Sequence, residues 1–308
     1  MKDSIIRSVG NFIFLRLFRR WVAGDKASDA IRCCRGLNRK GSACVINFLG
    51  EHYKESSKAE EAVAEYERLI DLIRSSGVRA SITIKPSQFG FNAEDVDDPE
   101  GFCGERMLSV VEYATARGVM SWLDMEDSRY TGFTLGFYKR HAADTLLGVC
   151  LQANLKRTEN DLASLIAMSK KAKVRIRLVK GIYRESPSIS VTDEGKLHRR
   201  YLGLMRKAFE DSPAGFGIAV GTHHTEAITL ARKLQKKHPK EFFEVEVLKG
   251  VLPSYYEKLR KEGLNVTEYV PYGPDAFAYS VRRARKNPGF ARSILFAPFF
   301  DVYKKLYH

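Results

Sequence analysis

Residues 174–180 read Val-Arg-Ile-Arg-Leu-Val-Lys, and their alternation decides the fold. Side chains of one parity on a strand share a face. Val174, Ile176 and Leu178 make one face apolar, while Arg175 and Arg177 load the other with charge. The same split recurs upstream, where Ile82 and Ile84 oppose Ser81, Thr83 and Lys85. It recurs downstream, where Phe243, Val245 and Val247 oppose Glu244 and Glu246. The apolar parity must meet helices. The polar parity must then face an interior where an unpaired charge is expensive.

Working outward, eight β-rich segments are predicted, at 44–49, 79–84, 119–125, 146–152, 174–180, 216–222, 242–248 and 266–271. Between them lie amphipathic stretches such as 60–75, 104–117, 162–170 and 225–237. Eight strands alternating with helices predict a (β/α)8 TIM-type barrel of the α/β class. A doubly wound sheet would bring a Gly-rich phosphate loop after an early strand, and neither GxGxxG nor a Walker A pattern occurs. The expected organisation is an N-terminal helical extension over 1–42 and a catalytic barrel over 43–308.

The 308 residues carry a net charge of +14, with 29% charged and 44% hydrophobic side chains. That composition excludes wholesale disorder, collagen and a disulfide scaffold. Five cysteines without a CxxC pair argue against structural zinc and for a reducing compartment. No apolar run approaches the ~18 residues of a membrane span, and the N-terminal apolar stretch has no small-residue cleavage site. A cytoplasmic protein is expected. Arg16, Arg19 and Arg20 beside Phe12, Phe14 and Phe18 would suit a helix lying at a membrane surface, or one packed on the barrel. No basic-aromatic motif points to nucleic acid.

Polar groups collect at the predicted strand ends: Glu51, Lys85, Asp124 and Glu126, Gln152 and Asn154, Arg177 and Lys180, His223, Glu246, Tyr269 and Tyr272. Barrel enzymes keep their active sites on that face. Gly217, Ala219 and Gly221 share the parity of His223, so the barrel is expected to be hollow beneath it, with room for a flat ligand. His223 and His224 point to opposite faces, so they do not form a metal site. After the last strand, Tyr279, Arg282, Arg283 and Lys286 fall at i, i+3, i+4 and i+7 on one helix face. Two neighbouring arginines there suit a carboxylate.

These residues resemble the proline dehydrogenase family. The matching words are Phe-Leu-Gly-Glu at 48–51, Ile-Lys-Pro-Ser at 84–87, Leu-Asp-Met-Glu at 123–126 and Cys-Leu-Gln-Ala at 150–153. Arg-Leu-Val-Lys-Gly-Ile-Tyr at 177–183, Thr-His at 222–223, Tyr-Val-Pro-Tyr-Gly at 269–273 and Tyr-x-x-Arg-Arg at 279–283 complete the set. The resemblance implies FAD across the barrel mouth, held by Gln152, Arg177, Val179, Lys180, Gly181, Tyr183, Thr222, His223 and Glu246. It implies that Lys85, Asp124, Tyr269, Tyr279, Arg282 and Arg283 enclose proline, with the lysine and arginines on its carboxylate. The implied reaction moves a hydride from proline C5 to the flavin, gives Δ1-pyrroline-5-carboxylate, and passes electrons to a quinone-type acceptor.

Four positions depart from the family pattern. Lys286 stands where a Glu usually follows the arginine pair, Glu246 where a Gln is usual, His224 where an Asn is usual and Asn154 where a Tyr is usual. They keep open two alternatives: an FAD-dependent dehydrogenase of another cyclic amino or imino acid, and a non-catalytic barrel paralogue that binds an anionic ligand.

Overall fold

The computed structural model describes residues 21–274. The segment holding Phe12–Arg20 and the face formed by Tyr279, Arg282, Arg283 and Lys286 lie outside the described residues. Eight parallel strands close into one barrel in sequence order. They are β1 (Ala43–Phe48), β2 (Ala80–Ile84), β3 (Ser121–Leu123), β4 (Leu147–Gln152), β5 (Arg175–Val179), β6 (Gly217–Gly221), β7 (Phe243–Leu248) and β8 (Val266–Tyr272). The helices are α1 (Ala27–Arg39), α2 (Ser56–Ser76), α3 (Pro99–Ala116), α4 (Ser128–His141), α5 (Thr158–Met168), α6 (Glu194–Glu210), α7 (Thr225–Lys237) and α8 (Pro253–Lys261). The predicted (β/α)8 barrel is therefore the observed one.

Local chemistry sets the helix starts. Asp98 accepts from the Gly101 N–H with Pro99 in the first turn of α3, and Asp127 and Asp193 cap α4 and α6 in the same way. Such caps satisfy amide groups that a helix start leaves free. Strand β3 is shorter than the predicted 119–125. Its flanks still bond to β2, through Ile82 N–H to Met120 O and Asp124 N–H to Ile84 O, so the ladder outlasts the regular strand.

The N-terminal helix α1 lies against β8 and β1, closing the wall where the barrel returns to its first strand. Just before it, Ala23 N–H donates to Pro271 O and Gly24 O accepts from Gly273 N–H, which ties the entering chain to the end of β8. Among the described residues no helix is long and apolar enough to cross a membrane.

Three apolar regions result among the described residues, one of them made by Trp21, Val22, Leu49 and Val251 near the strand ends. The large one lies between the outer strand faces and the helices, and includes Ile46, Ile82, Ile84, Ile176, Leu178, Ile218 and Val245. The smallest one fills the lumen and consists of Val45, Trp122 and Ala219, with Met120, Phe242 and Tyr269 against it. The lumen is thus not hollow below His223. Ala219 leaves room, and Trp122 and Arg177 take it. Their own stacking, with the Arg177 guanidinium 4.6 Å from the Trp122 ring centre, completes the plug.

Trp122 fits only because its neighbour on β4 is glycine. A Cβ on Gly148 would stand 2.5 Å from the indole and 2.8 Å from Met120 Cε. Overpacking of this kind typically costs about 1–3 kcal/mol. Gly148→Ala is expected to lower the unfolding free energy by that amount in urea titrations, with the far-ultraviolet circular dichroism of the native state preserved.

Candidate active site

At the C-terminal ends of the strands, one guanidinium organises the charged groups. Arg177 projects from β5 into the lumen with its side chain 4% exposed. Its Nη1 donates to Asp124 Oδ1 at 2.6 Å. Its Nε lies 2.6 Å from Glu246 Oε2, an ion pair off the N–H axis. The two carboxylates hold Arg177 firmly in its charged form against the cost of burial. Asp124 is fixed from the far side by the Tyr269 hydroxyl, which donates to Oδ2 at 2.6 Å. Arg177 Nη2 is buried without an acceptor among the described residues.

A second polar group frames the mouth between β2, β3 and β4. Glu126 is buried, and burial raises its pKa. Ser87 compensates by donating its hydroxyl to Oε1 at 2.6 Å and its backbone N–H to Oε2 at 3.0 Å. Gln152 donates to the Glu126 carbonyl at 2.7 Å, joining the ends of β3 and β4. Lys85 is buried, with Nζ 3.4 Å from Glu51 Oε1 and 3.5 Å from Gly50 O. Both contacts are long for charge-assisted hydrogen bonds.

The rim over β5 and β6 is basic. Lys180 Nζ lies 3.1 Å from His224 Nε2. Burial, Lys180 and His198 together push His224 down to about 4, so its imidazole is neutral near pH 7. Thr222 is buried, and its Oγ1 accepts the His224 N–H. His223 is oriented by a hydrogen bond between Nδ1 and the Tyr256 hydroxyl. Gly181 has φ +103°, and a Cβ there would meet Asn154 Oδ1 at 2.1 Å, so this turn requires glycine. Val179 and Tyr183 are half-buried at the same rim.

Asp124, Arg177, Tyr269 and Glu246 thus form one connected group, while Lys85, Gln152, Lys180, Gly181 and His223 lie on the strand ends around it. Glu246 sits below Arg177, within the lumen. Tyr279, Arg282 and Arg283 belong to residues outside the description. Sequence reasoning passed over Ser87 and Tyr256 as partners; nothing in their spacing marks either role. Trp122 carried a usable signal, since it shares the inward parity of Asp124. Among the described residues, no group of three or more His, Cys, Asp or Glu is placed to hold a metal ion. Two cavities open at the opposite, N-terminal face. One of about 440 Å³ includes Arg232, Lys236 and Glu262 in its wall. One of about 140 Å³ reaches Glu244 and Thr267.

Residues 30–293 match the family model described as proline dehydrogenase. The chain is 29% identical over 280 residues to Proline dehydrogenase 1 of Bacillus subtilis (strain 168), covering 90% of this chain and 89% of that protein. It is 29% identical over 277 residues to Proline dehydrogenase of Deinococcus radiodurans, covering 88% and 86%. Among solved structures it is similar to proline utilization A (PutA) from Bdellovibrio bacteriovorus inactivated by N-propargylglycine, with a TM-score of 0.80 and 19% identity. That match covers 87% of this chain and 32% of the longer one, so the chain spans about a third of it and the likeness is one of fold.

The Ser87–Glu126 contact yields a pH-dependent expectation. Ser87→Ala leaves a buried carboxylate with one donor fewer, at a cost of about 1–3 kcal/mol. Losing the donor raises the Glu126 pKa further in the folded state. A raised carboxyl pKa means the folded protein binds more protons than the unfolded one, so stability falls as pH rises above the ordinary carboxyl range. The loss in Ser87→Ala is therefore expected to be larger at pH 8 than at pH 5, as read by urea unfolding at both.

Proposed function

The chain belongs to the proline dehydrogenase family, and on that premise we propose that it oxidises L-proline to Δ1-pyrroline-5-carboxylate with a bound FAD as hydride acceptor. The observation that carries this reading is the Asp124–Arg177–Tyr269 group at the ends of β3, β5 and β8. The residues present fit a flavin. Arg177 Nη2, buried without an acceptor, suits an electron-rich ring edge. Half-buried Val179 offers an apolar side, and Lys180 faces a neutral imidazole rather than a carboxylate, which suits an anionic tail. Gln152, Gly181, Tyr183, Thr222 and His223 would complete the cradle, with Glu246 supporting it through Arg177.

FAD, when bound, supplies the two-electron chemistry; the protein supplies orientation and charge. Lys85, Arg282 and Arg283 take the substrate carboxylate, two of them as guanidinium forks able to bind it bidentately. Asp124 and Tyr269 form the floor under the ring, and the family resemblance adds Tyr279 to the substrate residues. Asp124 is kept in place by donors from two strands, so it does not swing toward the substrate cation. The substrate ammonium first loses one proton to water; as C5 gives up its hydride the nitrogen lone pair forms the C=N bond, and the second N–H proton then leaves to water to give the neutral imine. Electrons leave to a quinone-type acceptor. A quinone dissolves in lipid, so a cytoplasmic protein using one must meet a membrane surface, and a charge of +14 favours an anionic one.

Purification of the full chain followed by an absorption spectrum and anaerobic L-proline is the test. A flavin spectrum that bleaches with L-proline is expected. A colourless protein that cannot be reconstituted with FAD would overturn the cofactor, and bleaching by another cyclic amino acid alone would overturn the substrate. Arg177→Met is expected to lose FAD or shift its redox behaviour. Arg282→Met and Arg283→Met are each expected to weaken substrate binding at least about tenfold, while FAD content stays normal.

A further inference from the structure

His224 stands at the N-cap of α7, in extended backbone, yet its side chain makes no cap bond. Asn, usual at this position in the family pattern, is among the strongest N-caps. A histidine there forgoes that bond, and its ring is engaged elsewhere. Nε2 lies 3.1 Å from the Lys180 Nζ, just past the end of β5. An ammonium only donates, so Nε2 accepts. The imidazole is then neutral, with its proton on Nδ1. The His224 backbone N–H donates to Thr222 Oγ1, which fixes where the ring leaves the chain. His198 of α6 lies alongside with 5.0 Å between ring centres, and its own Nε2 is 2.9 Å from Glu226 Oε2 in the first turn of α7. The rim over β5 and β6 thus holds a half-buried cation that donates to a base instead of an acid.

Resting on the FAD reading above, we propose that His224 takes up a proton when the anionic diphosphate of FAD settles against Lys180 at this rim, so that cofactor binding is coupled to protonation of a residue the family pattern does not have.

The groups around the ring support this. Lys180 keeps His224 neutral in two ways: it occupies the Nε2 lone pair, and it sets a positive charge beside the ring. Burial and His198 act in the same direction, and Glu226 opposes them. Glu194, at the start of α6, faces Lys180. His223 is held apart by Tyr256. A phosphate anion would draw the ammonium's hydrogen bond to itself, reverse the sign of the local charge and offer Nε2 an acceptor. An opposite charge at close range moves a titrating group by about 1–3 pKa units. From the His224 value of about 4, that carries the imidazole up toward neutral pH. The diphosphate keeps its charge throughout this range, so the proton belongs to the protein. Asn in the same place would have no proton to gain.

The FAD complex then binds more protons than the protein without FAD. Affinity therefore rises as pH falls through the raised pKa of the complex, and levels off below the pKa of the empty rim. FAD released from the diluted full chain, read as recovered flavin fluorescence, gives Kd across this pH range. The wild type is expected to bind FAD about tenfold more tightly at about pH 5.5 than at about pH 8, with the slope of log Kd against pH approaching about one proton at the acid end. His224→Asn supplies a cap and no titrating ring, so the slope is expected to vanish while Tm does not fall. His198→Gln is expected to keep the slope, because His198 acts only beside the ring. A wild-type Kd that does not change with pH overturns the inference and leaves the FAD reading standing. So does a slope that survives in His224→Asn. A full chain that takes up no FAD at any pH overturns both.

Discussion

A guanidinium enclosed in a barrel lumen must be neutralised where it stands, and most of the interior follows from that need. Arg177 cannot shed its proton, and water does not reach it. Asp124 from the end of β3 and Glu246 from β7 each come within 2.6 Å of it. Removing both partners would leave a buried charge uncompensated, which usually costs about 3–5 kcal/mol or more. The three residues come from strands that are not neighbours in the sheet, so the pairing braces the barrel across its axis as well as around its wall. Tyr269 then ties Asp124 to β8. One electrostatic requirement thereby sets the positions of four strand ends that frame the mouth.

The same interior has to make space for long side chains, and it does so by alternating strands. Large inward residues sit on the odd strands: Trp122 on β3, Arg175 and Arg177 on β5, Glu244 and Glu246 on β7. The even strands between them carry Gly148 on β4 and Gly217, Ala219 and Gly221 on β6. A Cβ on Gly217 would stand 2.8 Å from Arg175 Cγ, and one on Gly221 would stand 2.7 Å from Val179 Cγ1. Contributions from alternate strands in layers are how such barrels fill their interior. The small residues of β6 are the counterpart of the large ones beside them, which is why a ligand-sized hollow inferred from β6 alone does not exist.

That correction also marks what sequence could convey. Strand parity carried the fold, because period-two alternation with polar groups on one side, clear in β2, β5 and β7, admits few architectures once eight β-rich segments alternate with helices. It also identified Lys85, Asp124, Arg177, Glu246 and Tyr269 as inward or strand-end residues. Pairing was not legible. Nothing local says that Arg177 meets Asp124, 53 positions away, and Tyr269 meets it from 145 positions away. Those contacts depend on which strands face each other across the closed barrel, and closure is a property of all eight together. Ser87 was hidden for a different reason. It acts from a short turn, Pro86–Gln88, where its backbone N–H matters as much as its hydroxyl, and residue type alone does not reveal that geometry.

Charges in a barrel interior are not the most stable filling. A buried ion network replaced by well-packed apolar side chains is often as stable or more so. Val45, Trp122 and Ala219 show that the same lumen accepts apolar packing beside them. Stability therefore does not account for Asp124, Arg177 and Glu246 standing in it. A different demand does. The mouth needs a fixed positive group, because a guanidinium that could rotate would lose the directional value of its unpaired Nη2. Two carboxylates fix it, yet two full negative charges would cancel more than its positive charge. Burial resolves the conflict: it raises the Glu246 pKa, so Glu246 keeps its steric hold on Arg177 while the charge it presents is reduced. The two acids around Arg177 are thus explained by that cation, and the cation by what the mouth is built to bind.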